Sequence, residues 1–133
     1  MMSKQDLPSS VDAIAAAREV MHRHVAALNA RDENALAATL HFPHYRLSGG
    51  KLKVWDTPAS YLADFLARAG DGWARTSWDF HAPVAASADK VHLDVSFTRW
   101  RADGSPLGTF RSLWVIACID GRWAAQLRSS FAS

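Results

Sequence analysis

The stretch Leu107–Phe131, LGTFRSLWVIACIDGRWAAQLRSSF, decides the fold because its Asp120-Gly121 pair separates two hydrophobic runs. Asp-Gly between such runs is the strongest short-range signal for a β-hairpin. Upstream, Ala88-Asp89 separates the runs Trp73–Ser87 and Lys90–Arg101 in the same way. The second half of the chain is therefore predicted to form four long antiparallel strands of one sheet.

The short turns also fix a register that gives this sheet one face made almost wholly of aromatic and aliphatic residues. Arg99 lies on that face, with Trp78 and Phe110 as its predicted neighbours. A guanidinium group can stack on aromatic rings and bind a carboxylate or enolate through two hydrogen bonds. We therefore predict a ligand site around Arg99 that also contains Trp78, Tyr61, Phe97, Phe110, Ser112, Ser129 and Phe131.

A second interpretation of Arg99 stays open, because a buried charge without a partner is costly. Its side chain could reach water past the rings, or it could pair with a helix carboxylate such as Asp64. The hydroxyls of Ser112 and Ser129 have no adjacent base in the sequence, so nothing marks either residue as a nucleophile.

The first half of the chain is predicted to supply helices that cover the apolar face. Apolar residues recur at helical spacing from Val11 to Leu28, and Asp32 can cap a second, shorter helix that must end before Pro43. Thr57-Pro58 starts a third helix, which Gly70 ends. Three helices packed on an antiparallel sheet make an α+β fold, and no linker divides residues 1–133, so we expect a single domain.

A second β-hairpin is predicted over Tyr45–Trp55, centred on Gly49-Gly50. A two-residue turn places Leu47 opposite Leu52, and Tyr45 opposite Val54, on one face. The other face is expected to be the wetter one and carries His44, Arg46, Lys53 and Trp55.

The outer face of the large sheet mixes charges, hydroxyls and large apolar groups. Its predicted rows contain Asp79, Thr98 and Arg111, with Leu113 and Val115 nearby. This surface is too apolar for plain solvent and too polar for a core, so we expect a homodimer interface there. A solvated face with a few stray apolar residues is the alternative.

Composition argues against several classes of function. The formal net charge is only +2 and the basic residues form no contiguous run, which argues against nucleic-acid binding. Met1–Ser10 lacks the apolar core of a signal peptide, and no apolar run reaches membrane-spanning length. The single cysteine, Cys118, cannot form an intrachain disulfide. We therefore expect a cytoplasmic protein that does not contact a membrane. No spacing of histidines, cysteines or acids fits a metal site, and no cofactor motif is found, so neither a metal nor a cofactor is expected.

Taken together, the order of elements resembles the nuclear transport factor 2-like superfamily, which includes ketosteroid isomerase and the SnoaL-like polyketide cyclases. The resemblance covers nearly the whole chain. It is carried by the opening helix up to Ala27–Asp32, by the aromatic segment after the second helix, and by the closing turn Asp120–Trp123 with its final strand. It implies a cystatin-like cone, in which three N-terminal helices pack on a strongly curved sheet around a hydrophobic pocket. It also suggests dimers that meet through the outer sheet face.

The resemblance also locates candidate acid–base residues. Ketosteroid isomerase-like proteins have an aspartate base just after the second helix, where this chain reads His41-Phe42-Pro43-His44-Tyr45 and has no acid. Steroid-type isomerisation is therefore disfavoured. Some dehydratases of the superfamily use histidines with tyrosines, so His41, His44 and Tyr45, with Tyr61, form a candidate acid–base set. The alternative is that both histidines only end the second helix and start a strand.

These observations predict a SnoaL-like protein that binds an apolar or aromatic small molecule, with an acidic group of the ligand facing Arg99. One alternative is a cofactor-free lyase or isomerase that uses the histidines and tyrosines. A second alternative is a non-catalytic association domain with a fully packed inner face. The volume of the cavity separates this last alternative from the other two.

Overall fold

The computed structural model describes residues 6–132 of the chain. Part of the segment Met1–Ser10, on which the signal-peptide prediction rests, lies outside the described residues. The helices are α1 (Asp6–Ala30), α2 (Glu33–Ala37) and α3 (Pro58–Ala69). The strands are β1 (Leu40–Ser48), β2 (Lys51–Trp55), β3 (Arg75–Ala86), β4 (Lys90–Trp100), β5 (Pro106–Ile119) and β6 (Arg122–Ser130).

All six strands join one sheet in the order β2-β1-β6-β5-β4-β3. Every neighbouring pair is antiparallel except β1 and β6, which run parallel. The predicted α+β class is confirmed, and the parallel pair joins the first hairpin to the rest of the sheet. No helix in the described part of the chain is long and apolar enough to cross a membrane.

Helix ends follow the local signals in the sequence. The carboxylate of Asp32 accepts a hydrogen bond from the Ala35 amide at the start of α2, and Thr57 caps α3 through the Ser60 amide. Gly70 ends α3 with a φ of 78°, in the region that favours glycine. The second helix is shorter than predicted, because the chain already enters strand β1 at Leu40.

The core lies between α1 and the inner face of the sheet. Buried residues of α1 recur at helical spacing and meet buried side chains from β4 and β5. The members from the helix are Ala13, Ala17, Val20, Met21, Ala27 and Leu28, and those from the strands include Leu93, Val95, Trp114 and Ile116.

In the first hairpin, the two faces are the reverse of the prediction. His44, Arg46 and Trp55 are buried, whereas Leu47 and Leu52 are 48% and 64% exposed. The cause is the parallel pairing of β1 with β6, which brings Arg46 beside Arg128 on the inner face. The leucine side of the hairpin thereby extends the outer face of the sheet.

Bulges in the long strands displace the predicted register. Two irregularities in β3 place Trp78 opposite Phe97 instead of Arg99, and the β4–β5 pairing places Arg99 opposite Gly108 instead of Phe110. Each displacement is by two residues. Because the side-chain alternation has a period of two, these residues keep their predicted face.

The β5–β6 pair contains one irregularity, and it shifts the register by one residue. Ile116 pairs with Ala125, but Val115 pairs with Leu127, so Gln126 is the extra residue. An odd shift exchanges the faces beyond it. The predicted inner-face positions of Ser129 and Phe131 are therefore wrong: Ser129 pairs with Leu113 of the outer face, and Phe131 is 81% exposed.

Candidate functional site

A cavity lies between the helices and the inner face of the sheet. The space open to the centres of water molecules is about 30 Å³. The lining residues include four arginines and no carboxylate; they are His24, Leu28, Arg46, Tyr61, Phe65, Arg68, Thr76, Trp78, Phe97, Arg99, Trp114, Arg128 and Ser130.

Arg99 enters this cavity from strand β4 and is 5% exposed. Its guanidinium carbon lies 5.5, 5.6 and 5.1 Å from the ring centroids of Phe65, Phe97 and Phe110. The Nε atom is buried without a hydrogen-bond partner. Burial, and after it the positive charge of Arg68, lower the pKa of Arg99 to about 10, which still leaves the group charged at neutral pH.

The residue opposite Arg99 explains how three rings surround it. Gly108 pairs with Arg99, and a Cβ atom on Gly108 would come within 2.8 Å of the Phe110 ring. The absence of a side chain at Gly108 therefore leaves the space that the Phe110 ring occupies.

Arg128 and Arg46 also line the cavity. Arg128 donates a hydrogen bond of 2.5 Å to the Tyr61 hydroxyl, and its guanidinium carbon lies 4.7 Å from the centroid of Trp114. Arg46 donates to the carbonyl of Ala132, while its Nε atom is buried and unpartnered. Burial lowers the pKa of Arg128, and burial together with Arg68 and Arg128 lowers the pKa of Arg46 to about 10.

One carboxylate neutralises part of this positive charge. Asp64 of α3 accepts hydrogen bonds from Arg68 at 2.6 Å and from Lys53 at 2.7 Å. It does not pair with Arg99, the pairing that the second interpretation of that arginine offered. Among the described side chains, those of residues 10–132, no carboxylate lies within ion-pair distance of Arg46, Arg99 or Arg128.

His24 is a cavity residue that the sequence analysis did not select. The Thr39 hydroxyl donates to the Leu36 carbonyl, so it accepts from Nδ1 of His24 at 2.9 Å, and this leaves Nε2 of His24 as an acceptor. Burial and the charge of Arg128 lower the pKa of His24 to about 3, which keeps the ring neutral. A signal was available, because Val20, His24 and Leu28 are four residues apart and belong to one buried helical stripe.

The candidate acid–base residues of β1 do not meet in the cavity. His44 is buried and donates from Nδ1 to the Ala125 carbonyl, and burial with the charge of Arg128 lowers its pKa to about 2. His41 bonds to the Ala117 carbonyl and accepts from Arg122. Tyr45 pairs with Leu127 and lies on the opposite face of β1 from His44. None of these three side chains lines the cavity.

Of the predicted ligand residues, four line the cavity: Arg99, Trp78, Tyr61 and Phe97. Phe110 packs on the guanidinium group of Arg99, and Ser112 accepts a hydrogen bond from the indole of Trp114. Sequence reasoning missed Arg46, Arg68 and Arg128 as well as His24. Within the described residues, no three histidines, cysteines or acids are grouped so that they could hold a metal ion.

The protein is an α+β protein with helices on one face of a six-stranded, mostly antiparallel sheet. A basic and aromatic cavity lies between the two layers. No protein-family model matches this sequence, and no curated protein is detectably similar to it. The fold does match solved structures.

One is a nuclear transport factor 2-like protein with a cystatin-like fold from Novosphingobium aromaticivorans, at a TM-score of 0.72 and 15% identity over 99% of this chain and 91% of that one. A second, from the same organism and provisionally named an aromatic ring hydroxylase, has a TM-score of 0.68 and 14% identity over 92% and 90% of the chains. A third, provisionally named a ketosteroid isomerase, is from Shewanella frigidimarina, with a TM-score of 0.64 and 17% identity over 86% and 94%. The chain therefore has the cystatin-like fold of nuclear transport factor 2-like proteins.

Proposed function

We propose that this protein binds a small organic acid in the cavity, with the carboxylate of the ligand at Arg99 and its apolar or aromatic part against the neighbouring rings. The observation that carries the proposal is that three guanidinium groups, Arg46, Arg99 and Arg128, share one cavity and pair with no carboxylate among residues 10–132.

Desolvation makes such an arrangement costly in the free protein. A buried charge that lacks a partner costs several kcal/mol by order of magnitude, and the Nε atoms of Arg46 and Arg99 lack even a neutral acceptor. A carboxylate supplies the missing acceptors and the missing charge in one group. The free protein is thus prepared for an anion.

The rings supply the apolar half of the site. Trp78, Phe97 and Trp114 line the cavity, with the ring centroids of Trp78 and Trp114 5.6 Å apart. The free space of about 30 Å³ holds little more than a water molecule or two. A ligand of one ring therefore requires lining side chains to move apart when it binds.

The test is a calorimetric titration with benzoate and with benzamide, which has nearly the same shape but no charge. We expect benzoate to bind and benzamide to bind at least about tenfold more weakly. Arg99→Met should weaken benzoate binding by a similar factor, whereas Arg111→Met, which removes an arginine of the outer face, should not.

Equal binding of benzoate and benzamide, or unchanged binding in Arg99→Met, would contradict the proposal. A thermal melt of each variant shows whether it is folded before the titration is interpreted.

A further inference from the structure

Three of the cavity's arginines come from two separate parts of the sheet, Arg46 with Arg128 from one and Arg99 from the other. Arg46 and Arg128 are paired neighbours on β1 and β6, and Arg128 in turn pairs with Trp114 of β5. Trp114 pairs with Leu93 of β4, whereas Arg99 lies six positions further along that strand. Six residues of flat strand span about 20 Å, so the two groups start from well-separated points of the sheet and converge on one cavity.

A chain of rings connects the two groups. The guanidinium of Arg128 lies on Trp114, and the centroid of Trp114 is 5.6 Å from that of Trp78. Trp78 is 6.1 Å from Phe97, and Phe97 is in contact with the guanidinium group of Arg99 at 5.6 Å. The path therefore runs from the guanidinium group of Arg128 through three aromatic rings to the guanidinium group of Arg99.

The charge balance shows that one carboxylate does not neutralise the site. Four arginines line the cavity, and Asp64 is the one carboxylate of the described residues that bonds to any of them, which leaves three positive charges. A ligand with a single carboxylate would leave two of these three without a counter-charge. A ligand with two carboxylates would leave one.

Both groups also retain unused hydrogen-bond donors. Nε of Arg46 and Nε of Arg99 are both buried without partners, one in each group. A single small anion at Arg99 would leave the buried donor of Arg46 unsatisfied, and an unsatisfied buried donor of a charged group is costly.

We infer that the ligand is a dicarboxylic acid with an apolar or aromatic frame, with one carboxylate bound at Arg99 and the other at Arg46 and Arg128. This inference rests on the proposed function and specifies its ligand class.

The test compares diacids with their monomethyl esters, which keep the frame and remove one charge. Benzene-1,4-dicarboxylate and benzene-1,3-dicarboxylate serve as aromatic probes, and succinate serves as a small aliphatic one. In calorimetric titrations at neutral pH and fixed ionic strength, we expect at least one diacid to bind about tenfold or more tightly than its monoester.

Substitutions of Arg46 test whether the tighter binding of the diacid depends on the charges of Arg46 and Arg128. Arg46→Met should reduce the diacid to the affinity of the monoester and leave the monoester within about threefold of its wild-type affinity. Arg46→Lys, which retains the charge, should restore part of the difference. If Arg46→Met does not fold, the wild-type protein still decides the question, because the affinity of the diacid should fall more steeply with added salt than that of the monoester.

Three results would overturn the inference in distinguishable ways. If each diacid binds no better than its monoester while benzoate binds, the second carboxylate has no site and the proposed function is unaffected. If inorganic phosphate displaces the diacid at equal concentration, the cavity is a site for one compact anion. If neither benzoate nor any other acid of the series binds, both this inference and the proposed function fail.

Discussion

Arg46 and Arg128 are direct partners across two parallel strands, and both side chains line one buried cavity. Two like charges at adjacent positions of a sheet repel each other. Each is stabilised by a neutral group, Arg128 by the hydroxyl of Tyr61 and Arg46 by the carbonyl of Ala132. Such dipoles orient the guanidinium groups but do not neutralise them, so the inner face keeps a net positive charge that a ligand can use.

Arg99→Met should increase the stability of the ligand-free protein. Methionine fills much of the same space among Phe65, Phe97 and Phe110, and the substitution removes a buried charge that pairs with no carboxylate of the described residues. We expect the free energy of unfolding to rise by on the order of 1 kcal/mol, measured by urea denaturation with tryptophan fluorescence. Arg111→Met removes an exposed ion pair with Asp94 and a contact with the half-exposed Phe80 ring, and it should change stability little. A clear loss of stability in Arg99→Met would show that the arginine is structural.

Stability should fall when the solution becomes acidic. In the folded protein the pKa of His24 is about 3 and that of His44 about 2, both below the ordinary value of 6.5, because both rings are buried near Arg128. Below pH 6.5 the unfolded chain therefore binds more protons than the folded one. The free energy of unfolding should drop by about 1 kcal/mol per pH unit for each histidine, between about pH 6.5 and pH 3.

Urea denaturation over a series of pH values measures this slope. His44→Gln should reduce the slope, whatever its effect on stability at neutral pH. A slope that His44→Gln does not alter would show that His44 is protonated in the folded state.

Tyr61→Phe should destabilise the protein, and Tyr45→Phe should not. Loss of the Tyr61 hydroxyl leaves a buried N–H of Arg128 without its acceptor, which costs about 1–3 kcal/mol. Tyr45 lies on the other face of β1 and is half-buried, so the same change there should stay within about 0.5 kcal/mol. Thermal denaturation of the two variants side by side gives the comparison. Equal effects would mean that Arg128 finds another acceptor.

The outer sheet face should form a homodimer interface. Leu113, Ser129, Leu47 and Leu52 follow one another across four strands, and the row beside them is Val115, Leu127, Tyr45 and Val54. An exposed apolar surface that is continuous across strands is typical of an interface. We expect a dimer by size-exclusion chromatography with light scattering, and a monomer for Leu127→Glu.

Leu66→Glu is a matched control for this experiment. Leu66 of α3 is 39% exposed, as is Leu127, but it belongs to the helical layer and not to the outer face. Its substitution should leave the dimer intact. A wild-type protein that remains monomeric over the micromolar range would contradict the interface.

Much of the fold could be predicted because its signals are local. Asp120-Gly121 closes a hairpin, Thr57 caps a helix, and Gly70 ends it, and each of these acts within a few residues. Arg99 was assigned to the correct face for a less secure reason. The register around it differs from the predicted one by an even number of residues, so the alternation of side chains survived the error.

The remainder of the site depends on contacts between distant parts of the chain. Arg46 was assigned to the wetter face because leucines occupy the other side of the hairpin, but the parallel pairing with β6 decides which side is buried. Arg128 is on the inner face only because of the irregularity at Gln126, which no turn motif in the sequence marks. The spacing of His24 places it on the buried stripe of α1, but its tautomer depends on the distant hydroxyl of Thr39.

The extra residue Gln126 has a consequence for how such a pocket can change. It puts Arg128 and Ser130 inside the cavity, and a β6 strand one residue shorter would instead put Leu127, Ser129 and Phe131 there. Deletion of the single codon for Gln126 would thus convert a cationic cavity into a more apolar one, while every other amino acid is retained. In this fold, the length of β6 therefore determines the charge of the cavity, and an alignment that closes the gap at Gln126 would equate residues from opposite sides of the sheet.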